Sequence, residues 1–365
     1  MSTSDDLEVS ASHDECMSER EVVGQWAAEQ FELVPGYLNT ATVGLPTRAS
    51  LEVLHRRIAE WQAGTMHAPS FDADVDRCRT AYAALANTDP SRVAIASQAS
   101  VVAGLVAGST PAGSIVLCAE GDFTSVLFPF LADLDLTVRL APLDTLIDSI
   151  TDDVDLVAVS SAQSSNGTLL DLTALADAAD RAGACTFLDV TQSAGWAEFD
   201  ADRFDVTVCH GYKWLCSPRG TAFMTVSTAG DEWLHPRSAG WYAGDDPWTS
   251  IYGSPLRLAP DARRFDVSPP WFSFAAAAPT LEMLAGLGVA TIGRHSVGLA
   301  NDFRERVGLE QANSAIVSIS SDATDALRAA GIAHAPRDGR LRFSFYVYNT
   351  IGDVEAAATI VNAHP

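Results

Sequence analysis

The length, composition and charge of the chain exclude several classes of protein. Its 365 residues are more than one small hydrophobic core usually serves, and 47% hydrophobic against 19% charged residues provide ample apolar surface to bury. The 47 acidic and 23 basic residues give a formal net charge of −24, which repels phosphate backbones and anionic lipid headgroups. We therefore expect a globular protein with one large and one smaller domain, or two comparable ones, that binds neither nucleic acid nor a membrane surface.

The N-terminal region and the cysteines predict a cytoplasmic protein without a structural metal site. The six cysteines include no CxxC pair, and the chain has no HExxH or HxxxH helix that would complete a zinc site, so we expect reduced thiols and no metal. Residues 1–20 are acidic and rich in Ser, with no Lys or Arg before Arg20 and no apolar run after it, unlike a signal peptide. We expect a flexible acidic tail over 1–20.

In chain order, the apolar pattern predicts helices first and then strands alternating with helices. Helical spacing extends from about Ser50 to Ala63 and from Val75 to Leu85. The uncharged stretch 93–119 is interrupted by Gly and Pro, so it predicts a strand, a helix and a strand rather than a membrane span. Continuous apolar runs indicate strands buried on both faces of a mostly parallel sheet flanked by helices. These runs are 115–117, 156–159, 186–188, 206–208 and 223–226.

The C-terminal third has a different pattern. The Pro-, Gly- and Trp-rich stretch 238–270 predicts a long excursion rather than a sheet element. We place the large domain over 21–245, and the excursion with a small C-terminal domain over 246–365. Predicted helices at 275–287 and around 296–307, with strands at 315–319 and near 341–345, make the small domain α+β. The expected fold class is α/β, a large domain with a mostly parallel sheet flanked by helices plus this small domain.

Two charged residues stand where an open α/β sheet keeps its ligands, at the carboxyl ends of strands. Asp189 ends a predicted buried strand, where an unpaired carboxylate is costly, so it requires a cationic partner. Lys213 follows in a predicted short loop among His, Tyr and Trp, where desolvation lowers the pKa of an amine. Pyridoxal phosphate needs this pair: an amine holds its aldehyde as a Schiff base, and a carboxylate keeps its pyridine nitrogen protonated.

The sequence around these two residues resembles a known enzyme family. FLDVTQSAGW, from Phe187, and HGYKWLCSPRGTAFM, from His210, are similar to the core of fold type I pyridoxal-phosphate enzymes of the class V aminotransferase and cysteine desulfurase superfamily. The resemblance extends from YLNTATVGLP at Tyr37 to LRFSFYVYNT, which ends at Thr350. It implies the fold of these enzymes and a homodimer with each active site between two subunits.

The resemblance also implies roles for individual cofactor-binding residues. Lys213 corresponds to the Schiff-base lysine, Asp189 to the partner of the pyridinium nitrogen, and Gln192 to a hydrogen-bond donor to the phenolic oxygen of the ring. Helix N-terminal amides after the strand at 93–96 suit the phosphate. The other implied cofactor-binding residues, at the phosphate, on the ring face and in neighbouring loops, are Gln98, Ala99, Ser100, Phe123, Ser164, His210, Tyr212 and Ser268.

The implied substrate-binding residues are Arg342, whose planar guanidinium suits a carboxylate, and Asn39 and Asn166. Two features depart from the family pattern. Only Ser268 has a hydroxyl where relatives often have a Gly-Thr pair that reaches the neighbouring subunit's phosphate. Cysteine desulfurases need a thiolate on a mobile loop in the C-terminal part, whereas the last cysteine here is Cys216, so we expect no persulfide mechanism.

These residues predict an enzyme acting on a small amino acid or amine, with Lys213 as the general base at Cα. An aminotransferase is the first hypothesis, after the superfamily's usual activity, and a carbon-sulfur or β-lyase is the second. The third is a non-catalytic α/β binding protein, although the absence of GxGxxG and GxxxxGK[ST] motifs argues against nucleotide binding. Taken alone, Lys213 would be a surface lysine and Arg342 half of a salt bridge. These residues do not distinguish among transamination, elimination and epimerisation as the reaction of the enzyme.

Overall fold

The computed structural model of the protein describes residues 19–364. Seven strands form the central sheet, in the order β1-β7-β6-β5-β4-β2-β3. β7 runs antiparallel to both of its neighbours, and the other adjacent strands are parallel, which confirms the predicted mostly parallel sheet. The strands are β1 Val93–Ala96, β2 Ile115–Ala119, β3 Thr137–Ala141, β4 Leu156–Ser160, β5 Cys185–Asp189, β6 Val206–His210 and β7 Ala222–Val226.

Each central strand contributes to two hydrophobic cores, one on each face of the sheet. In β4, Val157 and Val159 belong to one core, whereas Leu156 and Ala158 belong to the other. Because successive side chains of a strand point to opposite faces, a strand covered on both sides is apolar at every position. This double burial explains the continuous apolar runs in the sequence.

The helices of the described residues flank this sheet and complete the C-terminal part. They are α1 Glu19–Gln30, α2 Arg48–Gln62, α3 Asp72–Leu85, α4 Ala99–Ser109, α5 Thr124–Ala132, α6 Leu172–Ala182, α7 Gly230–Trp233, α8 Trp271–Leu287, α9 Val289–Arg306, α10 Thr324–Ala329 and α11 Ile351–Ala363. No single helix among them is long and apolar enough to cross a membrane, although α8 and α9, which are bent by 83° at their junction, pass that test by length and composition as a pair.

One predicted helix boundary was wrong. The helix expected around Ser296 begins at Val289, because Gly288, at φ +86°, ends α8 and leads directly into α9. Residues 1–18 of the acidic tail predicted over 1–20 lie outside the described part of the chain, and α1 begins at Glu19. The domain boundary near 245 stays a prediction. Residues 238–270 form short 3₁₀ turns and irregular backbone without a strand, as predicted.

A second, smaller sheet lies in the C-terminal part, which confirms the α/β fold with a smaller C-terminal sheet domain. Its antiparallel strands are β8 Ile316–Ile319, β9 Ala335–Arg337 and β10 Arg340–Ser344, in the order β8-β10-β9. α9 and α11 cover it through a core that includes Phe303, Phe343 and Val354. The three-residue β9 was not predicted, because a run this short carries no periodic signal.

A buried ion pair joins α3 to β1 and to the segment that precedes Ser268. Arg79 Nη2 lies 2.7 Å from Asp266 Oδ2, and both side chains are almost completely buried. Asp266 Oδ1 also accepts the backbone N–H of Ile95 at 2.8 Å. Burial raises the pKa of Asp266 to about 6 even though Arg79 opposes the shift. The carboxylate therefore depends on this guanidinium for its charged form.

We expect Asp266→Asn to lower the free energy of unfolding by about 3–5 kcal/mol, because it leaves the Arg79 charge buried without a counter-charge. Urea unfolding followed by circular dichroism measures the change. The matched control is Asp153→Asn, which breaks the exposed Arg139–Asp153 pair and should cost far less. Equal effects of the two substitutions would contradict this account of the buried pair.

Candidate functional site

A cavity of about 80 Å³ opens at the carboxyl ends of β4, β5 and β6, the edge where parallel α/β sheets bind ligands. Each of these strands contributes its last residue, namely Ser160, Asp189 and His210. Most of the residues predicted from the sequence meet here although they come from distant parts of the chain. Those that line the cavity are Gln98, Ala99, Ser100, Phe123, Ser164, Asp189, Gln192, His210, Tyr212 and Lys213.

Asp189 is a buried carboxylate that the protein does not pair with a cation. Its side chain is 4% exposed, and Oδ1 accepts the backbone N–H of Thr191 at 2.8 Å. Burial raises its pKa, while the hydrogen bond from Thr191 and the charge of Lys213 oppose the shift. No Lys or Arg nitrogen among the described residues lies within ion-pair distance of it. The cationic partner that the sequence requires is therefore not supplied by a salt bridge.

Lys213 is the single lysine of the whole sequence, and it lies on the loop between β6 and β7. The residue is 5% exposed, and its Nζ lies 5.3 Å from the ring centroid of Phe123 and 5.7 Å from that of Tyr212. Burial lowers the pKa of this amine to about 8, against the opposing effect of the Asp189 carboxylate. A substantial fraction of the amine is therefore neutral near physiological pH, as a nucleophile or general base requires.

Gly44 lets a distant segment support the lysine loop, a role that no local motif around Gly44 indicates. Its N–H donates to the carbonyl of Tyr212 at 2.9 Å. A Cβ at position 44 would overlap the carbonyl oxygen of Lys213 and lie 2.9 Å from Sγ of Cys216. Only glycine permits this close approach of the two backbones.

The Gln192 side chain is fixed by three hydrogen bonds within the protein. Trp214 donates its indole N–H to Oε1 at 2.9 Å, which sets the orientation of the amide. The amide nitrogen then donates to the carbonyl of Ala41 at 3.0 Å and to Oγ of Ser164 at 3.1 Å. Both donors of Gln192 are therefore used, whereas the Ser164 hydroxyl accepts bonds and donates to no group in the described chain. Its hydrogen is the one available to an acceptor in the cavity.

The opposite end of the cavity suits an anion. Gln98 precedes α4 without capping it through its side chain, so the amides of Ala99 and Ser100 have no intrahelical acceptor. His210 is 7% exposed, and its Nε2 has no hydrogen-bond partner. Burial, with smaller contributions from Arg219 and Lys213, lowers the pKa of His210 to about 4, so the ring is neutral at physiological pH.

Arg219 is a cavity residue that sequence reasoning missed. Its guanidinium carbon lies 4.9 Å from the ring centroid of Tyr212, a cation–π contact. It forms no ion pair with a carboxylate among residues 19–364. The signal was present in the SPRG sequence just after the lysine, since a cation in this loop must lie near the site. Other lining residues that were not predicted are Ser125, Ser160, Ala162 and Thr191.

Arg342 lies against the wall of the cavity rather than in its lining. It is 1% exposed, donates from Nη1 to the carbonyl of Ser164 and from Nη2 to Oγ1 of Thr42 at 2.7 Å, and leaves Nε without a partner. It makes no ion pair in the described chain, so the salt-bridge interpretation has no support. Asn39 Oδ1 is buried without a partner, and Asn166 is exposed and accepts the N–H of Thr168.

Two further features bear on the predicted chemistry. Ser268 is exposed and outside the cavity, so its contact with a neighbouring subunit's phosphate stays a prediction. The cysteines of the described chain are all free, and burial raises the pKa of each thiol well above its usual value; Cys16 lies outside the described residues. These thiols belong to Cys78, Cys118, Cys185, Cys209 and Cys216.

Chemistry rather than volume identifies the site. A wider groove of about 740 Å³ lies against Trp196 and Arg294, but it contains no lysine and its arginine is paired with Glu19. The described residues hold no cluster of three or more His, Cys, Asp or Glu side chains that could bind a metal ion.

The lowered pKa of Lys213 leads to a direct prediction. In the protein freed of cofactor, we expect the rate of acylation of this amine to rise with pH and to reach half its maximum near pH 8, because only the neutral amine reacts. Peptide-resolved mass spectrometry separates Lys213, the single lysine, from the N-terminal amine. A half-maximum near 10.5, the ordinary value for lysine, would contradict the effect of burial.

Comparisons of sequence agree with the geometry. The model of the class V aminotransferases matches residues 131–324. The chain is 28% identical over 297 residues to the uncharacterized aminotransferase YcbU of Bacillus subtilis, covering 74% of this chain and 79% of the relative. It is 29% identical over 297 residues to kynureninase of Deinococcus radiodurans, covering 75% and 72%.

Solved structures share the fold. A cysteine desulfurase from Thermococcus onnurineus NA1 has a TM-score of 0.79 at 17% identity, over 95% of this chain and 99% of that one. The cystine C-S lyase C-DES, in complex with cysteine persulfide, has a TM-score of 0.80 at 16% identity, over 90% and 98%. Because the family model covers more than half of the chain, the resemblance predicted from the sequence is confirmed. The chain therefore belongs to the class V aminotransferases, a family of pyridoxal-phosphate-dependent enzymes.

Proposed function

We propose that this protein is an aminotransferase that acts on a small amino acid or amine with pyridoxal phosphate held at Lys213. The observation that carries the proposal is the pairing of one buried amine with one buried carboxylate in a single cavity. Lys213 has a pKa lowered to about 8, and Asp189 has a raised pKa and no salt-bridge partner in the described chain. Class V membership supports the reaction class.

The residues fit pyridoxal phosphate by their unmet bonding needs. Asp189 requires a cation, which a protonated pyridine nitrogen would supply. His210 Nε2 is buried without a partner at the anion-binding end of the cavity. Lys213 Nζ makes no hydrogen bond or ion pair within residues 19–364, so it is free to hold an aldehyde.

Each part of the cofactor then has candidate partners. Lys213 would hold the aldehyde and Asp189 the pyridine nitrogen, and the free hydroxyl hydrogen of Ser164 would serve the phenolic oxygen in place of Gln192. Since His210 is neutral at physiological pH, Arg219 would supply the positive charge for the phosphate. The remaining proposed holders are the α4 amides with Gln98, Ala99 and Ser100, the Tyr212 side chain, and Phe123 on the ring face.

When bound, the cofactor supplies an electron-accepting ring that weakens a bond at the substrate Cα. The chain's own groups then handle protons and orientation. The neutral amine of Lys213 removes the Cα proton and returns it elsewhere, as a pKa of about 8 permits at neutral pH. Asp189 holds the proton at the ring nitrogen, and Arg342, which donates to the carbonyl of Ser164 at the cavity wall, would orient the substrate carboxylate. Phe123 covers the amine and limits access of water.

Elimination from a cysteine-type substrate is the second candidate. The fold similarity to the cystine C-S lyase C-DES favours it at the level of fold, and the same base and carboxylate would serve it. Persulfide formation on a protein cysteine finds no support, because the thiols of the described chain are buried or partly buried and have raised pKa values.

Product analysis tests the proposal. The holoenzyme is supplied with each amino acid, with and without an added 2-oxo acid. An aminotransferase should consume both and form a new amino acid without free ammonia. Release of ammonia, or of sulfide, without an acceptor would replace transamination by the lyase. No near-visible absorption band on addition of pyridoxal phosphate would overturn the enzyme proposal altogether.

We expect Lys213→Ala to abolish turnover, because no other lysine exists to replace the amine. Far-ultraviolet circular dichroism should show a folded protein, since the substitution shortens one side chain at the rim of a cavity. Arg139→Ala, on β3 at the edge of the sheet, is the matched control and should leave turnover unchanged. Retained turnover in the Lys213 variant would disprove the proposed base.

Asp189→Asn should lower kcat by about 10²-fold or more, because a neutral amide does not hold the proton at the ring nitrogen. Asparagine has the same shape, so we expect the fold and cofactor binding to survive. Steady-state kinetics and equilibrium titration with pyridoxal phosphate measure the two effects separately. A variant with normal kcat would show that the carboxylate charge is not needed.

A further inference from the structure

The β9–β10 hairpin carries three arginines on one face. Its two-residue turn, Asp338 and Gly339, has φ values of +48° and +69°, as a tight hairpin of this kind requires. Arg337 is paired with Arg340 across the strands, and Arg340 and Arg342 are two positions apart on β10. Directly paired residues and alternate residues of a strand share a face of the sheet, so the three guanidinium groups lie on the same side.

The inner end of this row reaches the candidate active site. Arg342 is buried and donates to the carbonyl and Oγ of Ser164. Ser164 itself lines the cavity that contains Lys213. The arginine face of the hairpin is therefore in direct contact with the wall of that cavity.

The outer end of the row lines a second cavity, of about 320 Å³, on the other side of the same wall. Arg337 and Arg340 contribute to it together with Ser165, Asn166 and Ser318. Ser164 lines one cavity and its two successors line the other, so a single short loop separates them.

Neither outer arginine is neutralised by an ion pair within the described chain. Arg337 donates to the carbonyl of Pro336, and Arg340 donates to Oγ and the carbonyl of Ser318. The chain has about two acidic residues for each basic one, so two adjacent arginines without a carboxylate partner stand out. Asp338 also lines this cavity and opposes an anion, but the two guanidinium groups outweigh its single charge.

The field of the hairpin extends to the active-site groups. Burial lowers the pKa of Arg342 to about 10, and the charge of Arg337 adds to the lowering. Burial also has the largest effect on Lys213, and it lowers the pKa of the amine. The charges of Arg342 and Arg337 lower this pKa further, whereas the carboxylate of Asp189 raises it. Arg337 therefore lies close enough to influence a negative charge placed between the two cavities.

We propose that Arg337 and Arg340 form a second anion subsite, so that the substrate is an amino acid with a second carboxylate in addition to the one that Arg342 binds. Planar guanidinium groups bind carboxylates through paired hydrogen bonds. The inference rests on the proposed function, because it assumes that the substrate reacts at Lys213. It concerns which amino acid binds and is independent of whether transamination or elimination follows.

The wild-type holoenzyme provides the first test. L-Glutamate and L-aspartate are compared with L-glutamine and L-asparagine, which have the same shape without the second charge. We expect kcat/KM to be about tenfold or more higher for the charged member of at least one pair, from one charge-assisted interaction. Binding of succinate and of butyrate, measured by calorimetry on the holoenzyme, gives a readout without turnover; succinate should bind more tightly by a similar factor.

Variants assign the effect to the hairpin. Arg337→Gln and Arg340→Gln should each weaken succinate binding about tenfold and weaken butyrate binding far less. Arg181→Gln, which removes an exposed charge at the end of α6, is the matched control and should change neither. Asp338→Asn should strengthen succinate binding, and asparagine tolerates the positive φ at this position.

The outcomes separate the two proposals. If the near-visible band forms but charged and neutral amino acids react equally, or if the Arg337 variant loses both to the same degree, the anion subsite is wrong and the proposed function stands. If no band forms with pyridoxal phosphate, the proposed function itself fails. If succinate still binds more tightly than butyrate in both arginine variants, the second carboxylate is bound elsewhere.

Discussion

The removal of one amine and one carboxylate from water is the constraint on which the site depends. Lys213 and Asp189 lie at the carboxyl ends of neighbouring strands, where the two hydrophobic cores of the sheet meet the cavity. Burial disfavours the charged form of each group, lowering the pKa of the amine and raising that of the carboxylate, and each partly offsets the shift of the other. The sheet thus provides a reactive amine and an unsatisfied carboxylate at the same edge.

Much of the fold could be predicted because double burial leaves a clear pattern. β4, β5 and β6 are buried along almost their whole length and are mostly apolar, a pattern typical of strands covered on both faces. What failed depended on single residues or very short elements. α9 starts at Val289, earlier than predicted, because Gly288 ends α8 and leads directly into it, and β9 exists only because β10 pairs with it. Neither effect produces a periodic pattern of apolar residues in the sequence.

The site shows the same division between local motifs and long-range contacts. Lys213, Asp189 and His210 could be located because each follows a strand in a recognisable motif. Gly44 could not, because its requirement comes from the carbonyl of Lys213, far along the chain. The role of Gln192 depends on Trp214, which fixes the amide and directs its donors to the protein, so that the Ser164 hydroxyl is the group left for the cavity. The hydrogen-bond donors of the site could be recognised from residue identity. The direction in which each one donates depends on the packing of the folded chain.

The central claim is that the buried amine of Lys213 holds pyridoxal phosphate. The most direct measurement is reduction of the cofactor-loaded protein with borohydride, followed by digestion and mass spectrometry. Because the sequence contains a single lysine, the account predicts one modified internal peptide, the one that contains Lys213, with a stoichiometry near one cofactor per chain. Cofactor that is released intact after reduction, or that is found only on the N-terminal amine, would contradict it.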